Sequence, residues 1–290
     1  MNLLPPSVTK IEPAGIDDIV LFFSKFCSER GKTIMTDIDE ALDWQRNEVT
    51  CAVCPHTDKL ADGLCRLKHS CVHDRYARRI DRFFDWNPEL ADAYIRHPHF
   101  EVRAIAAKHA NQFLLLPLLD DPEEAVRWNA ARRLPKKHIL RLRTDPSREV
   151  RIRIAALLDE ADLIPMMNDP DYYVRLVIAR RVTPSVLLQF IDDDEVEVRR
   201  TVARRVPAAW LPRMARDAEP EIRFEAAKRL APDLLTSLKY DKDWRVRFEV
   251  ASRLPVMELN AMLLDSDILV REMAESRLSS HRMEMKETAT

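Results

Sequence analysis

The chain has 290 residues, 46% hydrophobic and 32% charged, with 46 Lys and Arg against 48 Asp and Glu for a formal net charge of -2. That composition suits a folded chain of one or two domains able to bury a sizeable core, and the near balance of charge excludes a general attraction to nucleic acid or anionic lipid. Only three glycines occur, Gly15, Gly31 and Gly63. The clustered glycines with which phosphate-binding loops and dinucleotide-binding turns approach phosphate are therefore missing, and nucleotide chemistry of those kinds is not expected.

The first fifty residues read as a helical extension, 1–50, with no basic segment followed by a hydrophobic one at its start and no run approaching the roughly 18 apolar residues of a membrane span. The cytoplasm is the expected compartment, and no membrane partner is expected. Cys27 lies in an apolar run with Ile19, Val20, Phe22, Phe23 and Phe26 and reads as a core residue.

Four of the five cysteines then fall within 21 residues, as Cys51-x2-Cys54-x10-Cys65-x5-Cys71. In a chain expected in a reducing compartment, four thiolates opening with C-x2-C suit a tetrahedral zinc or an iron-sulfur cluster better than disulfides. Sulfur ligation alone does not separate the two. Lys59, Arg66, Lys68, Arg75, Arg78, Arg79 and Arg82 surround the motif and would balance an anionic centre of either kind. His56, His69 and His73 read as outer or surface histidines, and Gly63 as a flexible point before the third cysteine. From Cys71 onward an amphipathic helix with Tyr76, Ile80, Phe83 and Phe84 on one side closes this domain, 51–85, and joins it to the C-terminal two thirds of the chain.

An internal repeat fills 86–280. A Val-Arg or Ile-Arg pair recurs every 24 residues, from Val102-Arg103 through Val126-Arg127, Val150-Arg151, Val174-Arg175, Val198-Arg199, Ile222-Arg223 and Val246-Arg247 to Val270-Arg271. An Asp stands five residues before each pair after the first, from Asp121 to Asp265, and His97 takes that place in the first copy. Asp121 reads as a helix N-cap, Pro122 as a first-turn residue and Pro135 as a stop. Each repeat is thus about a dozen helical residues followed by one or two short helical turns, α or 3₁₀, with no strands. Val126, Ala130, Ala131 and Leu134 fall within an arc of about 140° on a helical wheel, and the small residues in those columns allow close stacking of copies that bury nothing alone. The repeated Arg lies inside that stripe and needs a partner, which the repeated Asp supplies as a ladder. A second basic column, Arg132, Arg133, Arg180, Arg181, Arg204, Arg205, Lys228, Arg229, Arg253 and Arg277, reads as a solvated outer face favourable to helix C-termini, or as a ridge for an acidic partner or nucleic-acid backbone. Residues 281–290 read as a frayed, disordered tail.

From Cys51 to Leu278 this combination resembles the leucine-rich repeat variant family, in which a small four-cysteine [4Fe-4S] domain precedes 24-residue repeats of alternating α and 3₁₀ helices. The cysteine motif and segments such as Asp121-Pro122-Glu123-Glu124-Ala125-Val126-Arg127 carry the resemblance. It departs at the first fifty residues and at Asp194, Ala218, Lys242 and Ser266, where proline would follow the repeated Asp. The resemblance implies an all-α right-handed solenoid of eight 24-residue repeats behind a four-cysteine cluster domain, with Cys51, Cys54, Cys65 and Cys71 as cofactor and metal ligands. It implies bacterial redox or nitrogen-fixation settings and transfers no catalytic residue. No Ser-His-Asp or Cys-His set recurs near a glycine turn, and His97, His99, His109 and His138 sit at unrelated positions, so no enzymatic activity is expected. The expected function is a [4Fe-4S] repeat protein serving as an interaction module for a protein partner, its cluster structural or redox-sensing. Two alternatives stand beside it: a HEAT-like nucleic-acid-binding solenoid with a zinc site, and an electron-transfer partner of a redox enzyme.

Overall fold

The computed structural model describes residues 40–288. Of the helical extension read over 1–50, residues 1–39, with Cys27 and its apolar run, lie outside the described residues, and 40–50 forms a turn closed by the Leu42–Glu48 bridge rather than helix. Eight principal helices recur along the chain at the 24-residue spacing: α3 Phe100–His109, α4 Glu124–Ala131, α5 Arg148–Leu157, α6 Tyr172–Arg181, α7 Val196–Arg205, α8 Pro220–Ala227, α9 Trp244–Arg253 and α10 Ile268–Thr288. Among the described residues α1 Thr57–Ala61, α2 Ala77–Trp86 and a single-turn helix, Ala91–Tyr94, precede them. Between the repeat helices run short 3₁₀ turns such as Leu140–Thr144, Leu188–Phe190 and Val256–Leu264, several preceded by a single α turn. Among the described residues no strand forms, only isolated bridges between Leu42 and Glu48 and between Arg66 and Ser70.

The core is a set of columns. Val102, Val126, Val150, Val174, Val198, Ile222, Val246 and Val270 are all at most 1% exposed, and Ala106, Ala130, Ala155, Ala179, Ala203, Ala227, Ala251 and Ala274 are fully buried. Each buried Val or Ile contributes about 1.5–3 kcal/mol, and the alanines let successive helices approach closely.

The repeated Arg and Asp build the expected ladder between neighbouring repeats. From Arg103 to Arg247, each guanidinium places Nε and Nη2 on both carboxylate oxygens of the Asp 18 residues later, from Asp121 to Asp265, at 2.7–3.2 Å. Nη1 turns the other way and donates to carbonyls of its own repeat, as Arg127 does to Asp121 and Pro122 at 2.9 Å. This bidentate geometry is the strong form of the ion pair.

The expectation that the Asp caps its helix is corrected. Each Asp accepts instead from the backbone N–H two residues on, at 2.8–2.9 Å, and the N-cap falls at that later residue, for example Glu123, Asp171 or Asp243. The reason is that the Asp and its successor spend their carbonyls on the arginine, and after Asp121, Asp145 and Asp169 a proline also holds the Asp extended. The second basic column divides. Arg132, Arg180, Arg204 and Lys228 are exposed, as read from the sequence, whereas Arg133, Arg181, Arg205, Arg229, Arg253 and Arg277 each donate to a carbonyl at the end of the preceding repeat's helix, as Arg229 does to Ala203 and Val206 at 2.8 and 2.6 Å. Arginines thus clamp both edges of the stack. Finally, α10 runs to Thr288, through residues read from the sequence as a tail, because Glu, Met, Arg and Lys there favour helix and no Pro or Gly interrupts it.

Candidate metal centre

The cysteines are delivered by three tight local structures. Cys51 and Cys54 flank a turn closed by the Cys54 N–H to the Cys51 carbonyl at 3.4 Å, and the N–H of His56 then points at the Cys54 sulfur at 3.5 Å. Helix α1 comes next and ends at Gly63, whose φ of +74° is open to glycine at no steric cost. There Leu64 N–H reaches the Lys59 carbonyl at 2.8 Å and Gly63 N–H reaches that of Leu60 at 3.2 Å, a Schellman closure. Gly63 is therefore a fixed helix end rather than a flexible point. A hairpin then pairs Arg66 with Ser70 through backbone bonds of 2.9 and 2.8 Å, with Lys68 at φ +66° in its tip. Cys65 and Cys71 flank that pair, and the Cys65 thiol donates to the Ser70 carbonyl at 3.3 Å.

Cys65 and Cys71 are buried, while Cys51 and Cys54 are half-buried, and all four are free thiols. Burial pushes the Cys65 thiol up to about 11, with Cys54 and Cys51 adding to the effect. Burial likewise pushes Cys71 up to about 12, against the N–H of His73, which lowers it, and with Cys65, Asp74 and Cys54, which raise it. Among the described residues no group of three or more His, Cys, Asp or Glu is gathered as the ligands of a single metal ion. The donor chemistry, four soft thiols with backbone N–H groups aimed at two of them, fits a thiolate-bound inorganic centre, because each N–H···S bond reduces the cost of a buried sulfur charge.

Behind the thiols stands an aromatic wall. Tyr94, in a short helix leading to the first repeat, bonds His56 Nε2 through its hydroxyl at 2.5 Å. Its ring lies 5.6 Å from Phe84 and 6.4 Å from His73, and His56 packs 5.3 Å from Phe83. Burial, then the charges of Cys54, Cys71 and Cys65, push the Tyr94 hydroxyl up to about 12. Burial holds the imidazoles of His56, His73 and His97 below their usual value. His69 turns away, its ring 5.6 Å from Trp86.

The surrounding cations divide sharply. Arg79 is the buried one, and Asp74 neutralises it at 2.9 Å with side chains 9% and 1% exposed. Lys59 pairs with Glu89 at 3.0 Å. Arg66, Lys68 and Arg78 are exposed, which leaves their contribution to balancing a buried charge small.

Asp43, Trp44 and Asn87 are not singled out by the sequence, and His97 only as the break in the Asp column. Asp43 accepts from the backbone of Gln45 and Asn47 at 2.8 Å and shapes a turn over 41–49, which Arg75 N–H joins to the cysteine loop at the Leu42 carbonyl, 2.9 Å. Trp44 stacks on His99 with ring centroids 5.5 Å apart. Asn87, fully buried, ties the end of α2 to the Leu64 carbonyl at 2.8 Å. His97, standing where later repeats carry Asp, accepts the His99 N–H at 3.1 Å and offers its carbonyl to Arg103 at 2.8 Å. It thereby reproduces the ladder's turn without a carboxylate, and Arg79, one period before Arg103, pairs with Asp74 instead.

A family model described as the LRV protein FeS4 cluster matches residues 41–93, taking in the 41–49 turn, the four cysteines, Phe83 and Phe84 and ending one residue before Tyr94. A solved structure described as a leucine-rich repeat variant with a novel repetitive protein structural motif is 38% identical, covers 79% of this chain and 99% of its own, and superposes with a TM-score of 0.76. A protein of Rhodobacter capsulatus, described as an uncharacterized 27.7 kDa protein in the nifB 3' region, is 48% identical over 93 residues, 32% of this chain and 38% of that protein. With helices, columns and cysteine domain all matched, the chain belongs to the leucine-rich repeat variant family and carries that family's iron-sulfur domain ahead of its repeats.

Proposed function

We propose that Cys51, Cys54, Cys65 and Cys71 hold a [4Fe-4S] cluster and that the repeats form an interaction module for a protein partner. The observation that carries the cluster reading is the match of the iron-sulfur family model over 41–93, which takes in all four cysteines, with the N–H of His56 directed at the Cys54 sulfur. When bound, such a cluster supplies one-electron chemistry or a structural cross-link between the thiolates. The protein's own residues do the rest. Phe83, Phe84 and Tyr94 exclude water, the Tyr94–His56 bond holds the C-x2-C loop against the first repeat, and the Arg79–Asp74 pair fixes the start of α2 beneath Cys71.

The interaction reading is supported by apolar side chains left on the solenoid where helices begin. Tyr172 is 40% exposed, Trp244 42% and Ile268 57%, all at one position of the repeat, and exposed aromatics of this kind are what interfaces use. No described helix is long and apolar enough to cross a membrane. Free cysteines suit a reducing compartment, which favours the cytoplasm. Iron and acid-labile sulfide analysis on anaerobically purified protein, with serine replacing each of the four cysteines, tests the cluster. A brown protein that loses its chromophore in every replacement is expected; stoichiometric zinc without iron refutes it.

A further inference from the structure

A cluster of basic side chains lies on the cysteine domain. Helix α2 presents Arg78, Arg82 and Trp86 at i, i+4 and i+8, a single face. Arg82 Nη1 donates to the His69 carbonyl at 2.8 Å, which seats that face against the Arg66–Ser70 hairpin, where Arg66 and Lys68 are exposed. Trp86 is 37% exposed at the edge of the same surface. Among the described residues none of Arg66, Lys68, Arg78 and Arg82 forms an ion pair, whereas neighbouring Arg79, Lys59 and Lys108 all do.

On this basis, and resting on the cluster reading above, we propose that the hairpin and this face of α2 form the docking surface for an acidic one-electron carrier protein. Charge chooses the sign of the partner: four fixed cations beside one aromatic anchor steer and seat a carboxylate-rich surface. The hairpin chooses the chemistry. Arg66 and Ser70 are covalent neighbours of Cys65 and Cys71, so a partner on the hairpin stands one residue from two sulfur donors. One electron passes from the reduced carrier to the centre that the cysteines hold; the carrier is oxidised, the centre is reduced, and no bond or proton changes hands. Nucleic acid fits less well. Most of the column along the repeats donates to backbone carbonyls, as Arg229, Arg253 and Arg277 do, and Arg204 and Lys228 pair with Glu225, so that a phosphate chain would meet only widely spaced cations such as Arg132 and Arg180.

The test uses the full-length holoprotein and, as probe, a purified plant-type [2Fe-2S] ferredoxin with an acidic surface. Binding is measured by surface plasmon resonance across a salt series, and electron transfer by stopped-flow absorbance. Affinity that falls with salt, and an association rate about tenfold slower in Arg66→Glu/Lys68→Glu but unchanged in Arg132→Glu/Arg180→Glu, is expected. Iron content and visible spectrum of the double variant, equal to wild type, show that the cluster domain is intact. With the cluster present, absent binding, binding indifferent to the hairpin reversal, or tighter binding of a 20-base oligonucleotide at the same salt overturns the docking proposal alone. Wild-type protein without iron overturns the cluster reading, and this one with it.

Discussion

Removing one rung of the Arg–Asp ladder tests whether it cements the solenoid. The rung from Arg127 to Asp145 is the most enclosed, with side chains 9% and 1% exposed and both bonds at 2.7 Å. Asp145→Ala leaves the Arg127 fork without its acceptor and also deprives the Ser147 N–H of its bond, 2.8 Å in the wild type. Leaving a buried charge unpaired costs about 3–5 kcal/mol, with about 1 kcal/mol more for the lost turn bond. Asp145→Asn keeps an acceptor for Ser147 and one for the guanidinium and should recover a substantial part. Arg127→Met/Asp145→Leu removes both charges and should restore more than half of the loss, since the penalty lies chiefly in the orphaned partner. The exposed pair of Arg213 and Asp192, with side chains 54% and 71% exposed, is the control, and Asp192→Ala should cost no more than about 0.5 kcal/mol. Urea unfolding monitored by far-UV circular dichroism measures each, with the slope checked for constancy because a stack of repeats need not unfold in one step. An Asp145→Ala loss as small as that of Asp192→Ala would refute the reasoning.

Other consequences are open to measurement. Gly63→Ala places a side chain at φ +74° where nothing lies within 4 Å, so its cost is conformational, about 1–2 kcal/mol, and should appear as a lower melting temperature of the cluster domain; an unchanged melt would contradict it. Tyr94→Phe removes the bond to His56 and should leave iron stoichiometry intact while speeding release of iron to a chelator several-fold; an unchanged release rate would show that the bond does not hold the loop. Burial opposes ionisation of Asp265, but bonds from Arg247 and the Asp267 N–H outweigh it and hold this carboxyl below its ordinary 3.8. Its stabilising contribution is thus present above that value and lost as the pH falls through the lower folded-state value. Asp265→Asn should remove that part of the acid dependence of unfolding, and an identical acid profile would count against it.

The repeat was legible because one Val-Arg pair recurs at an invariant spacing: valine needs the core, arginine needs a partner, and Asp121 to Asp265 recur in register. The partnership itself was therefore readable, but the capping role was not. A carboxylate engaged by an arginine of the previous repeat cannot be assigned from local sequence, where Asp-Pro before a helical run looks the same whether the oxygen meets N3 or an Asx turn. The second basic column misled in part for a similar reason, since Arg229 and Arg253 find their acceptors one repeat away. In the cysteine domain, spacing marked the thiols and hydrophobicity marked Ile80, Phe83 and Phe84. Tyr94, Asn87 and His97 carry no motif and act only through contacts that the fold creates. The 41–49 turn had one local signal, Asp43 four residues before Asn47, too short to stand out within an otherwise irregular segment. His97 offered a further clue in retrospect: it breaks the Asp column where the arginine one period before Arg103, Arg79, pairs with Asp74 instead.

The most direct test of the account is anomalous diffraction at the iron edge from a crystal grown without oxygen. A compact four-iron peak bounded by the sulfurs of Cys51, Cys54, Cys65 and Cys71, on the α2 side of the first repeat, is the expected result. A single peak at the zinc edge in that place, or iron held by any other set of residues, would contradict it.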